Sequence, residues 1–149
     1  MRYAIALALT AFLFVACSGS GTASPTPAAA APAVQLSTSA LGQIVTDASG
    51  RTLYAFTPDA AGGQPTCVAD CATKWPAFTV SGDFTVGSGL DKSKFTTVTA
   101  TTGGTQLKFG GYPLYYFSGD TAPNQTNGQG IGGKWFVLGA DGALIGQSS

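Results

Sequence analysis

Residues 53–59 read LYAFTPD, and residues 114–120 read LYYFSGD. At an offset of 61 the two stretches share a Leu, a Tyr, a Phe two places on and an Asp three after that. The same offset pairs Gly50 with Gly111, and an offset of 60 pairs Lys74-Trp75 with Lys134-Trp135. Chance does not produce that shared register, so the chain reads as a two-unit repeat, the units lying at about 40–85 and 95–146.

On a strand, residues two apart share a face. Tyr54 and Phe56 therefore point one way and Leu53 and Ala55 the other, and Tyr115 and Phe117 stand against Leu114 and Tyr116 in the same manner. Both faces are apolar, as expected for a strand central to a sandwich or barrel, and core packing is the first expectation for these aromatics. The Asp is harder to place. Tyr54 and Asp59 are five steps apart, roughly 17 Å when extended, beyond the reach of a Tyr side chain of about 6 to 7 Å. Pro58 and Gly119, each just before an Asp, suggest that the chain turns there. Asp59 and Asp120 are then expected chiefly to accept backbone N–H bonds in that turn; the alternative is that each meets the phenol of a neighbouring strand or of the other repeat.

Composition favours strands throughout. Gly, Thr, Val, Phe and Tyr are abundant, Glu is absent and Lys sparse, which leaves little material for long exposed helices. The expected fold is all-β: a small sandwich or barrel-like domain built from two pseudo-symmetric repeats. Hairpins are read at GQIVT, turn 47–50, RTLYAFT, and at FTTVTA, turn 103–104, TQLKF; a third is read at WFVLG, turn 141–142, ALIG. One short helix is expected over residues 67–74, with Thr66 as its N-cap and Trp75-Pro76 as its end. The corresponding second-unit stretch, TAPNQTNGQGIGGKW, is read as a loop. Its GQGIGG spells a dinucleotide-binding motif, but a strand rather than a helix is expected to follow, so that reading is set aside. Asn124-Gln125-Thr126 spells a glycosylation sequon and is given no weight.

The first sixteen residues carry one base, Arg2, then an apolar run from Tyr3 to Ala16 that ends on a small residue before Cys17. A run that short does not span a bilayer, which needs about 20 residues, and the layout is that of a bacterial export signal. Val15-Ala16-Cys17 resembles a lipobox, in which the cysteine is acylated and becomes the new N-terminus. Phe14 departs from the usual Leu at its position, and the alternative is a secreted protein with a free thiol. Residues 17–34 are rich in Ser, Thr, Pro, Gly and Ala, without charge or aromatic side chains, and are expected to be a disordered tether. The domain is placed at 35–149, about 115 residues, enough for one core.

Without Arg2, six basic residues face seven acids, all Asp, so nothing attracts nucleic acid. The chain has no His, and its only Met is the initiator. His-based catalysis, His metal sites and Met-ligated copper are therefore excluded. Once Cys17 is acylated, Cys67 and Cys71 remain as a pair. In an oxidising compartment they are expected to form a disulfide, since one helical turn sets their Cα atoms about 6 Å apart. A redox-active or metal-binding thiol pair is the alternative.

Tyr54-x-Phe56-x-x-Asp59, the block Cys67-x-x-x-Cys71-Ala72-x-x-Trp75-Pro76, and Tyr115-x-Phe117-x-x-Asp120 together carry a resemblance. Over about residues 40–146 the chain resembles the bacterial secreted-repeat lipoproteins named for their Tyr-x-(Phe/Trp/Tyr)-x-x-Asp motif. The resemblance implies an exported or lipid-anchored protein and assigns no activity.

The leading functional expectation is a non-catalytic module at the cell envelope, anchored to the membrane by lipid on Cys17. It would bind a small ligand, a glycan or an envelope protein, without a cofactor. Tyr112, Tyr116, Trp75 and Trp135 are the aromatics expected to be partly exposed. The alternative is a redox- or metal-associated protein using Cys67/Cys71, or Asp59/Asp120 with calcium, although these Asp residues lack a calcium-loop spacing. An enzyme using Asp59 with Asp120 ranks third.

Overall fold

The computed structural model of the chain describes residues 31–59 and 62–147. The expected export signal, Cys17 and residues 18–30 of the expected tether lie outside the described residues.

Each repeat opens with a hairpin. β1 (Val34–Ser39) pairs antiparallel with β2 (Gly42–Asp47), from Val34 opposite Asp47 to Ser39 opposite Gly42. In the second repeat β5 (Phe95–Thr99) pairs with β6 (Thr105–Phe109), Phe95 opposite Phe109. The motif strands follow as β3 (Tyr54–Phe56) and β7 (Tyr112–Tyr115), and they pair with each other, Tyr54 opposite Tyr115. β3 also pairs with β8 (Trp135–Val137), Phe56 opposite Trp135. β7 is bordered in the matching way by Ala77, which bridges to Tyr115. Short β4 (Thr79–Val80) completes the main sheet against β6. The β1–β2 hairpin, a sheet of its own, is tied on by Val45 N–H to Leu138 O at 3.0 Å.

A pseudo-two-fold axis relates the halves. Thr57 N–H donates to Lys134 O at 2.8 Å, and sixty-one positions on Ser118 N–H donates to Lys74 O at 2.9 Å. As strand alternation requires, the central strands bury both faces. Leu53, Ala55 and Leu114 belong to one apolar cluster, while Tyr54, Tyr115, Trp75 and Trp135 belong to the other. Leu53, Leu107, Leu114 and Leu138 are wholly inaccessible, and each such side chain contributes about 1.5–3 kcal/mol by leaving water.

Four expectations change. Val34 lies in β1 and is fully buried, so the ordered domain begins inside the stretch assigned to the tether. Residues 33–34 are held by the 85–87 segment, through Ala33 N–H to Thr85 O at 2.9 Å and Gly87 N–H to Val34 O at 2.8 Å. The strand read at 51–57 is shorter, because the chain tightens into a 3-10 turn at Thr57–Asp59. The helix, α1 (Asp70–Lys74), is a single turn that starts later than expected, after Ala69, with no side-chain cap. Thr66 does not cap it; its hydroxyl is taken by Asp59. Trp75 leaves the helical region before Pro76, as the steric rule demands (φ −126°, ψ 75°). The GQGIGG stretch is a loop with a 3-10 turn (Ile131–Gly133) leading into β8.

Candidate functional site

Tyr54 and Asp120 are 66 positions apart in sequence, and the Tyr54 hydroxyl donates to Asp120 Oδ2 at 2.6 Å. The Tyr115 hydroxyl donates to Asp59 Oδ2 at 2.7 Å. Each repeat thus supplies the acceptor for the other repeat's phenol. The remaining oxygen of each carboxylate closes its own loop: Asp59 Oδ1 accepts Thr66 N–H at 2.8 Å and the Thr66 hydroxyl at 2.6 Å, and Asp120 Oδ1 accepts Asn127 N–H at 3.0 Å. The two roles considered for these Asp residues are both filled, one by each oxygen. The Tyr54 hydroxyl is itself an acceptor, from Gly128 N–H at 3.2 Å. All four motif residues are buried. Burial first, and then the neighbouring carboxylate, raises both phenol pKa values far above the ordinary tyrosine range.

Gly128 is required for space. A Cβ there would lie 2.7 Å from Trp75 Cη2 and 2.9 Å from Tyr54 Cε1. Its counterpart is Cys67, bonded to Cys71 with Cα atoms 5.2 Å apart.

Beside these pairs lies a stack of four rings. Trp75 and Trp135 are face to face, with centroids 3.7 Å apart and planes 2° from parallel. Phe56 of the first repeat stacks on Trp135 of the second at 4.3 Å, and Phe117 of the second packs on Trp75 of the first at 4.5 Å. Each indole also meets its own repeat's tyrosine edge-on, Trp75 with Tyr54 at 5.4 Å and Trp135 with Tyr115 at 5.3 Å. The expectation that Trp75 and Trp135 are partly exposed is corrected: they are 3% and 5% exposed, because each covers the other across the axis.

Tyr112 and Tyr116 are half-buried. Tyr116 borders a groove of about 380 Å³ between the 47–51 turn and the 78–85 segment. Its hydroxyl donates to Asp47 Oδ2 at 2.9 Å, and the Arg51 guanidinium lies 4.2 Å above its ring. Burial, reinforced by Asp47 and opposed by Arg51, raises its pKa. Asp47 Oδ1 orders the turn by accepting Ser49 N–H, the Ser49 hydroxyl and Arg51 N–H at 2.8, 2.7 and 2.9 Å. Phe78 meets Tyr116 edge-on at 5.5 Å, and Asp83 and Phe84 border the far side. Lys92 reaches over the Phe84 ring and donates to the Phe84 carbonyl at 2.8 Å. Asp47 and Tyr116 are legible in the sequence as a turn residue and an aromatic. Phe84 and Asp83 lie in an irregular segment with no period to announce them.

Among the described residues no group of three or more Cys, Asp or Glu side chains is arranged to hold a metal ion. Asp59 and Asp120 are each bonded to a tyrosine of the opposite repeat.

The profile of the lipoprotein family described as a secreted repeat of unknown function matches the chain twice, over residues 35–79 and 96–139. The chain belongs to that family, and each match carries one hairpin and one motif strand. Membership places the protein outside the cytoplasm, secreted or at the envelope, and leaves its activity unassigned. Comparison with curated proteins and with solved structures gives no significant match.

Proposed function

We propose that this protein is a non-catalytic binding module, held at the bacterial envelope by acylated Cys17, and that it takes a hydroxylated ring ligand, such as the end of an envelope glycan, in the groove at Tyr116. The groove carries this reading. Its volume of about 380 Å³ is within the range of small-ligand sites. Its lining pairs aromatic side chains, Phe78, Phe84 and Tyr116, with the exposed carboxylate of Asp83, while Asp47 holds the turn and Tyr116 in place. Aromatic surface suits the apolar face of a sugar ring, and carboxylates accept from its hydroxyls. The motif residues Tyr54, Asp59, Tyr115 and Asp120 are then the frame that fixes β7 and hence Tyr116.

The alternative, calcium or redox chemistry at Asp59/Asp120 or Cys67/Cys71, has less support. Every oxygen of the two carboxylates already accepts a hydrogen bond, and the two sulfurs are bonded to each other, with Cys67 only 1% exposed.

Titration of the isotope-labelled domain with fragments of bacterial envelope glycans, followed by amide NMR, tests the site. Shifts are expected at residues 47–49 and 78–85, and they should vanish in Phe84→Ala and Asp83→Asn variants that keep the fold. Shifts confined to other surfaces would reject the groove. Detergent-phase partitioning tests the anchor: the wild type should enter that phase and Cys17→Ser should not.

A further inference from the structure

We propose that the aromatic stack and the two Tyr–Asp pairs form a relay that accepts one oxidising equivalent and stores it as a buried, neutral tyrosyl radical. The oxidants it suits are high-potential one-electron acceptors of the peroxide-derived ferryl or free-radical class. A one-electron reductant of the ascorbate or thiol class resets it.

Three features meet in one place. The indoles of Trp75 and Trp135 are in van der Waals contact and parallel, with a centroid spacing of 3.7 Å, so a positive hole on one is shared with the other. Phe56 and Phe117 cover the two outer faces of that pair. Benzene rings are too hard to oxidise to hold the hole themselves, and they keep water from the indole faces. Finally, each indole touches a tyrosine whose proton already has a destination, Tyr115 toward Asp59 at 2.7 Å and Tyr54 toward Asp120 at 2.6 Å.

The step balances within the protein. Trp135 gives one electron to the oxidant and becomes an indole radical cation. Tyr115 then gives one electron to Trp135 while its phenolic proton crosses to Asp59 Oδ2. Neutral tryptophan, a neutral tyrosyl radical and a protonated Asp59 result; the oxidant has gained one electron and no proton has left the protein. Trp75, Tyr54 and Asp120 perform the same step on the other side of the axis. A reductant returns the electron, and Asp59 or Asp120 returns the proton. A radical on a phenol without a fixed base would need water to take its proton, and burial denies water to both phenols. The carboxylates therefore make these two tyrosines the sinks, ahead of the half-buried Tyr112; Tyr116 also has a carboxylate, Asp47, but its ring packs on Phe78 and not on an indole.

The test is photo-oxidation of the disulfide-intact chain with a ruthenium tris-bipyridine photosensitiser and persulfate, read by transient absorption and by electron paramagnetic resonance after freezing. In the wild type an indole radical should decay as a tyrosyl radical rises, at a rate independent of buffer-base concentration. Tyr112→Phe should behave alike, whereas Tyr54→Phe/Tyr115→Phe should lose the tyrosyl signal and retain the indole one. A tyrosyl signal that persists in that double variant would overturn the relay. If the double variant fails to fold, the wild type decides alone: a rate that climbs with buffer base would mean that solvent takes the proton, and would equally overturn it.

Discussion

The indole of Trp75 lies flat against that of Trp135, 3.7 Å away and 2° from parallel, at the point where the two repeats meet. These residues come from segments 60 positions apart, and each is covered on its other face by a phenylalanine of the opposite repeat. Trp75→Ala and Trp135→Ala should each destabilise the domain by about 3–5 kcal/mol, the usual cost of deleting a buried large aromatic. Urea unfolding followed by circular dichroism measures this, and near-equal losses for the two variants are expected from the symmetry.

The crossed hydrogen bonds make a second, sharper expectation. Tyr54→Phe and Tyr115→Phe should each cost about 1.5–3 kcal/mol, as for a hydrogen bond to a charged partner. A double-mutant cycle of Tyr54→Phe with Asp120→Asn should show coupling, and one of Tyr54→Phe with Asp59→Asn should show much less. Equal coupling in the two cycles would mean that the partners are not those described.

Alkali should unfold the protein through its tyrosines. The folded pKa values of Tyr54, Tyr115 and Tyr116 are raised above the unfolded value of about 10. The native state therefore holds protons that the unfolded state releases. The stability this gives is complete below about pH 10 and is lost as pH climbs from there toward the folded pKa values. The melting temperature, scanned upward from about pH 8, should fall beyond about pH 10, and it should fall less steeply in Tyr54→Phe than in the wild type.

The disulfide and Gly128 occupy corresponding places, which separates their effects. Cys67→Ser/Cys71→Ser opens a loop of only a few residues, so its cost should be near the low end for a disulfide, about 2 kcal/mol. The loss should be local. Amide exchange should quicken at Thr66, which donates to Asp59, and at the neighbouring Cys67, and much less at Asn127 and Gly128. Gly128→Ala should reverse that pattern by driving a methyl into Trp75 and Tyr54, at about 1–3 kcal/mol.

The repeat, the β5–β6 hairpin and the two-faced burial of the motif strands are legible in the sequence, because each rests on a local period or a turn residue; the hairpin read at 42–57 survives only as a Thr46–Thr52 bridge, since β2 takes β1 as its partner. Partner choice is not. A motif written twice leaves Tyr54 two candidate carboxylates, and strand length only excludes the near one; the pairing of β3 with β7 then brings Asp120 within reach. The indole stack has no periodic signature, since Trp75 follows a helical turn and Trp135 begins a strand. β1 is missed because VQLSTS places only Val34 and Leu36 as inward apolar residues, directly after an Ala- and Pro-rich run. The groove is assembled from a turn, a strand end and an irregular segment, and no single stretch announces it.

The contacts across the axis obey the rule of an isologous interface: what one half offers, the other returns. A chain with one repeat would have to find a second copy to complete that surface, whereas here the partner is covalently attached and always present. Fusion also frees the halves to diverge, since a change in one is no longer imposed on both. Cys67 and Cys71 face Gly128 and Gly132 at the 61-residue offset, Asp47 faces Lys108, and Tyr116 faces Ala55. The axis has kept its symmetry where the core demands it, and the groove lies where the two copies are no longer the same.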